Sequence, residues 1–230
     1  MYLFPRIPHK RLAQLRKAQP NLKDKMILDY GSNRGNLIDD GVETGEILPE
    51  NYSAMDVDFW SLDEIRINYP KADAIHYNRY NPMYNPDGIK KLPFPQFDHR
   101  YHLVYSYSVN THGSWDDYLF DIVEMLRVSL GEVYTSVLNL ECLEYLHGKR
   151  VAEYGSAVDF DVFKNVKTGV YFINNDTVLD IEEEIPHQVD YLLTYYNPEW
   201  LMSEISKIGV DVELIPSGMP RIQPLLKIKV

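Results

Sequence analysis

An α/β fold organised on buried strands is what this sequence predicts, and three observations predict it. The first is Met26-Ile-Leu-Asp-Tyr-Gly-Ser-Asn-Arg-Gly35, an apolar run that stops at an acid and passes into a glycine-spaced turn. Met26, Ile27 and Leu28 suit a buried strand, while Gly31 and Gly35 let the backbone turn tightly and leave room for a ligand. The second is repetition: a strand near residues 52–57, stopping at Asp56, precedes a helix over 61–69 with Leu62, Ile65 and Tyr69 on one face. The third is a strongly amphipathic helix. Ser114 and Asp117 make a capping-box-like start, and Leu119, Ile122, Val123 and Leu126 recur at i, i+3, i+4 and i+7.

Composition narrows the class. The chain has 230 residues, 45% of them hydrophobic and 25% charged, enough for one domain with a sizeable core. No run approaches the roughly 18 apolar residues of a membrane span, and the N-terminus has no apolar signal core, so the expected location is cytoplasmic. The single Cys142 rules out an intramolecular disulfide and a thiolate zinc cluster. Net charge is −11, from 23 basic and 34 acidic residues, which disfavours a nucleic-acid partner. Arg6, Lys10, Arg11, Arg16, Lys17, Lys23 and Lys25 crowd the first 25 residues and read as a solvated basic helix rather than a binding arm.

In chain order, residues 9–19 predict a helix ended by Pro20, within an N-terminal helical segment over 1–25. After the opening turn, residues 36–40 can make only a turn or two of helix before Gly41 and Gly45 interrupt it. Asp56 lies 21 residues beyond Gly35, about the separation at which an acid ending the second strand meets the ribose hydroxyls of a nucleotide held over the first turn. A carboxylate suits a vicinal diol because it accepts two hydrogen bonds. Strand five is expected over 132–138, with Val133, Thr135 and Val137 on one face. Near the end, Asn197 caps a helix with Pro198 at its first position, Leu201, Ile205 and Ile208 on its buried face, and Gly209 just beyond. Residues 212–215 and 225–230 read as a closing pair of strands.

Residues 27–35 resemble the first signature of class I S-adenosylmethionine-dependent methyltransferases, an acid followed by Gly-x-Gly-x-Gly. Ala54-Met-Asp-Val-Asp58 is similar to that family's second-strand signature. Asn33 stands at the middle glycine of the pattern. Further on, Ala74-Ile-His-Tyr-Asn78 resembles the third strand, Leu92-Pro-Phe94 and residues 102–109 the Leu-Pro-Phe turn and fourth strand, and residues 127–131 a worn glycine turn before strand five. The resemblance covers about 26–140 and 190–230. It implies a Rossmann-like, seven-stranded, mostly parallel sheet with an antiparallel last strand and helices on both faces, over residues 26–230. It implies S-adenosylmethionine as cofactor, held by Asp29, Gly31, Asn33, Gly35, Asp56, Val57, Asn78 and Ser106.

His112 is the candidate general base, since it titrates near neutrality and should stand at the cleft rim; a helix-start histidine packed beside Trp115 is the alternative. No metal spacing is legible among the histidines. The acceptor implied is an O or N group of a small molecule, protein or glycan. Residues 141–190 form a cap-like insertion, and its acidic run 180–184 reads as a solvated face. Two other readings stand beside this one. Asn33 and the worn turn at Gly131 would suit a non-catalytic cofactor-binding or interaction module. Asn81-Pro-Met-Tyr84 resembles the signature of amino-methylating DNA enzymes, but it follows strand three rather than strand four, and the net charge opposes it.

Overall fold

The computed structural model describes residues 10–81, 84–139, 141–142, 145, 170–174, 177–179, 192–218 and 222–229. Seven strands form the central sheet: β1 (Ile27–Tyr30), β2 (Tyr52–Asp56), β3 (Asp73–His76), β4 (Tyr101–Ser106), β5 (Ser129–Ser136), β9 (Asp211–Ile215) and β10 (Leu225–Lys229). Their order is β3-β2-β1-β4-β5-β10-β9. Strands β1 to β5 run parallel, and β10 is antiparallel to both β5 and β9. The expected mostly parallel sheet with an antiparallel last strand is therefore present. A separate sheet, ordered β7-β6-β8, joins β6 (Val170–Asn174), β7 (Thr177–Leu179) and β8 (Leu192–Tyr196). The acidic run 180–184 lies outside the described residues.

Helices cover both faces, which is why the β1 and β2 residues are buried throughout. On one face, α1 (Lys10–Ala18), α2 (Asn36–Glu43) and α3 (Phe59–Asn68) place Leu12, Leu15, Leu37, Ile38, Leu62 and Ile65 against Ile27, Ala54, Leu103 and Tyr105. On the other, α4 (Trp115–Val128) and α5 (Pro198–Ser206) place Tyr118, Ile122, Met125, Leu201 and Ile205 against Leu28, Tyr30, Val104 and Val133. α1 is thus more than a solvated basic helix. Leu12, Gln14 and Leu15 point into the protein, and Arg16 pairs with Glu46.

Four local expectations need correcting. α2 runs through Gly41 to Glu43, because the Ile47 side chain occupies the space where a Cβ on Gly41 would sit, 2.5 Å from its nearest atoms. The glycine serves packing, at the roughly 1 kcal/mol a helix tolerates. In α4, Val123 is exposed and the buried arc instead includes Tyr118, Asp121, Ile122, Glu124 and Met125. In α5, Ile208 lies beyond the last helical residue and is exposed, while Leu201 and Ile205 are buried as expected. Finally, β5 begins at Ser129. Its register against β4 shifts between Tyr101 and Leu103, so Leu130 and Gly131 form a bulge inside the strand rather than a turn before it.

Several caps do match. Ser114 Oγ accepts from the Asp117 backbone N–H, and Asn197 Oδ1 accepts from the N–H groups of Glu199 and Trp200. In α3 the cap is Asp58, whose carboxylate accepts from the Trp60 N–H at 3.1 Å, so this helix starts two residues before the expected Ser61. No helix among the described residues is long and apolar enough to cross a membrane.

Candidate functional site

Chain connections diverge between β1 and β4: β1, β2 and β3 step toward one edge, while β4, β5 and the closing pair step toward the other. Such a switch point opens a crevice beyond the carboxyl ends of the strands. Here the ends are Tyr30, Asp56 and Ser106, and the segments leaving them are the glycine turn, residues 57–58 and residues 107–113.

The turn is built by left-handed backbone at alternate positions. Gly31, Asn33 and Gly35 have φ of 74°, 51° and 88°. The Gly31 N–H donates to the Met55 carbonyl at 2.7 Å, tying the turn to β2. Asn33 is the notable case. It occupies the middle glycine position and adopts the φ a glycine would supply, and asparagine is among the few other residues that enter this region readily. Its own Oδ1 accepts from the Arg34 N–H at 2.7 Å, which stabilises the bend. The substitution therefore preserves the turn's shape.

Asp56 ends β2, nearly buried, with each carboxylate oxygen already oriented. Oδ2 accepts from the Asn33 N–H at 2.7 Å and Oδ1 from the Asp58 N–H at 2.9 Å. A carboxylate has about four acceptor sites, so these backbone bonds leave acceptor capacity for a ligand. Burial pushes this carboxyl above the usual carboxylate range, opposed by those backbone hydrogen bonds. Val57 follows, half-buried.

Asp29 lies deeper than a surface ligand-binding role suggests. It is fully buried on the α1 side of β1, where its Oδ2 accepts from the Tyr52 hydroxyl. Burial pushes its carboxyl up to about 6, against the opposing effects of the Tyr52 hydrogen bond and the Arg11 charge. The folded protein thus holds this proton between pH 3.8 and about 6, where the unfolded chain releases it. The associated stability is present below that window and is lost as pH rises through it. Asp29→Asn keeps an acceptor for Tyr52 and is expected to flatten stability across pH 4–6, with a gain of up to about 3 kcal/mol at pH 7. Denaturant unfolding of both proteins at pH 4.5 and 7 checks this. An unchanged slope in that range would sink the assignment to Asp29.

Ser106 closes β4, paired with Tyr30 in β1 and Thr135 in β5, and its hydroxyl is buried without a hydrogen-bond partner. Beyond it the chain is held by a ring of polar side chains that sequence reading missed. The Ser108 N–H donates to Ser136 Oγ at 2.7 Å, Ser136 Oγ to Gln223 Oε1 at 2.6 Å, and Gln223 Nε2 to Ser108 Oγ at 3.1 Å. Ser108 takes φ 63°, and Asn110 Nδ2 donates to Thr135 Oγ1 at 3.2 Å. Gln223 is 115 residues from Ser108, so no local pattern could have signalled the contact.

Asn78 sits two residues beyond β3 with its side chain exposed, its Oδ1 accepting from Asn85 Nδ2 at 3.1 Å. His112 ends a short 3-10 turn, Asn110–His112, at the rim of this edge, and its side chain lies outside the described part of the structure. The turn therefore brings Gly31, Asn33, Gly35, Asp56, Val57 and Ser106 to one edge, with Asp29 beneath it and Asn78 farther out. No group of three His, Cys, Asp or Glu side chains among the described residues is placed to hold a metal ion.

No protein-family model and no curated protein sequence matches the chain. Solved structures do. The glycopeptide N-methyltransferase MtfA, complexed with S-adenosyl-L-homocysteine, is similar over 99% of this chain and 91% of its own, with 13% identity and a TM-score of 0.57. The CcbJ methyltransferase from Streptomyces caelestis is similar over 98% and 96%, with 13% identity and a TM-score of 0.58. Magnesium protoporphyrin IX methyltransferase (ChlM) from Synechocystis PCC 6803 is similar over 96% and 83%, with 10% identity and a TM-score of 0.54. The chain shares the fold of these methyltransferase structures.

Proposed function

We propose that this chain is an S-adenosylmethionine-dependent methyltransferase, acting in the cytoplasm on an O or N group of a small molecule, protein or glycan. The observation that carries the reading is the pre-oriented Asp56 carboxylate, tied to the Asn33 N–H of a turn with φ positive at Gly31, Asn33 and Gly35. MtfA is complexed with adenosylmethionine or adenosylhomocysteine in structures of this fold, which supports the same ligand here. In this reading Asp56 accepts from the ribose hydroxyls, Val57 and Asn78 flank the adenine, and Ser106 and the glycine turn face the methionine portion. Asp29 supports the turn from below.

Methyl transfer is an in-line displacement at a sulfonium carbon, so the protein chiefly aligns the acceptor and removes its proton where needed. His112 is the base in this proposal, and residues 141–190 form the cap that shapes the acceptor site. The test is calorimetry with S-adenosylhomocysteine. Binding is expected, and Asp56→Ala is expected to weaken it by roughly 10- to 100-fold, the scale of losing hydrogen bonds to a charged group. No binding at millimolar ligand overturns the reading. Binding by the parent with no transfer to any acceptor tried would favour the non-catalytic module instead.

A further inference from the structure

Helix α3 is apolar on two sides. Leu62 and Ile65 point into the protein and are fully buried, whereas Trp60 and Ile67, about two turns apart on the opposite face, are each 78% exposed. Phe59, 48% exposed, widens this stripe: its ring centre lies 6.3 Å from that of Trp60 and 5.8 Å from that of His76, the last residue of β3. Among the described residues, no other helix carries more than one exposed large apolar side chain. Core packing does not account for these side chains, and an apolar patch of this kind marks an interaction surface.

Charge decides what covers the stripe. The chain has a net charge of −11, so two copies repel over most of their surface. Around the stripe the charges cancel. Asp63 and Glu64 stand between Trp60 and Ile67; Asp63 accepts from Arg66 Nη1 at 2.6 Å, and Glu64 lies 3.5 Å from Arg34 Nη1. Arg66 is held in place by the Ala74 carbonyl at 2.9 Å and lies 5.2 Å from the centre of the Phe59 ring. Apolar ends and a neutral middle do not select a strongly charged partner, and they let a second copy approach. The pattern is also self-complementary. Two α3 helices laid antiparallel about a two-fold axis between residues 63 and 64 set Trp60 of each copy opposite Ile67 of the other. The exposed parts of Phe59, Trp60 and Ile67 amount to roughly 400 Å² per copy, about half of what a standard interface takes from each partner, so the polar rim must supply the rest.

We infer that the outward face of α3 is the contact surface of a homodimer, with Trp60 of one protomer packed on Ile67 of the partner subunit. Trp60 is the expected anchor, since tryptophan dominates the energetics of small interfaces. The inference does not depend on the adenosylmethionine reading above.

Sedimentation equilibrium of the full chain from about 1 to about 200 μM tests it, and reversible monomer–dimer association with a Kd on the order of micromolar is expected. Ile67→Glu and Trp60→Ala should each raise that Kd about tenfold or more. Both positions are on the surface, so the circular dichroism of the variants should match the parent. A parent that stays monomeric throughout overturns the inference and leaves the face to another partner. A dimer that neither substitution weakens overturns it too, because the contact then lies elsewhere. Cross-linking checks the arrangement independently. Cys142 is buried, so a short bismaleimide reports only on introduced cysteines. It should join two copies of Glu64→Cys, beside the two-fold axis, and not two copies of Lys17→Cys, at the end of α1 that reaches Tyr134 of β5. A dimeric sample that fails to link at Glu64→Cys overturns the inference.

Discussion

Arg79→Met is expected to destabilise the protein by about 3–5 kcal/mol, the usual cost of removing one partner from a buried ion pair. For a chain of this size that is roughly 10 °C in Tm. Arg79 follows β3 and is buried with its guanidinium paired to Asp121 and to Asp117, the latter at 3.3 Å, both on α4. It lies 5.1 Å from the centre of the Phe120 ring, and the Tyr30 hydroxyl donates to the other oxygen of Asp121 at 3.1 Å. One cation therefore fastens the end of β1, the segment after β3 and the first half of α4. Methionine fills much of the volume but leaves Asp121 charged, buried and uncompensated. Adding Asp121→Asn removes that charge and keeps an acceptor for Tyr30, so the double variant should recover a large part of the loss. Thermal and denaturant unfolding of the four proteins in the cycle measure the coupling. A loss under about 1 kcal/mol in Arg79→Met, or no recovery in the double variant, would mean the pair contributes little.

That network also marks a limit of reading the sequence. The spacing of α4 predicts a buried face of Leu119, Ile122, Val123 and Leu126, whereas Val123 is exposed. Asp121 and Glu124 are buried in its place because Arg79 and Arg127 meet them, and a hydrophobic period assigns every carboxylate to water. By contrast the strand ends were legible. Asp56 and Gly31 each sit where a local rule acts, an acid closing a buried run and a glycine in a turn that needs positive φ. Asn33 shows a rule applied too literally: the turn requires a left-handed backbone, and asparagine supplies it. The ring of Ser108, Ser136 and Gln223 was invisible for a different reason. It joins three distant parts of the chain through neutral side chains that carry no spacing signal.

Gly31→Ala is expected to abolish adenosylhomocysteine binding and to lower stability by about 2–5 kcal/mol. Two costs combine. The residue has φ 74°, where a side chain adds roughly 1–2 kcal/mol. A Cβ there would also lie 1.9 Å from Val109 Cγ2, an overlap that forces Val109 away, and overpacking of this kind costs about 1–3 kcal/mol. Val109 stands between Ser108, fixed by the Ser136 and Gln223 ring, and Asn110, anchored on Thr135, so its backbone has little freedom to yield. The displacement must then reach the turn, whose Gly31 and Ser32 N–H groups bond to the Met55 carbonyl next to Asp56. The two costs separate experimentally. Gly31→Ala with Val109→Ala removes the Cγ2 contact, leaves Val109 Cβ at 3.3 Å, and keeps the backbone penalty. It should regain part of the stability and some ligand binding. Full recovery would mean the left-handed backbone at Gly31 costs little and the Val109 contact carries the effect, whereas no recovery would mean that the turn and the segment after β4 do not form the single unit described here.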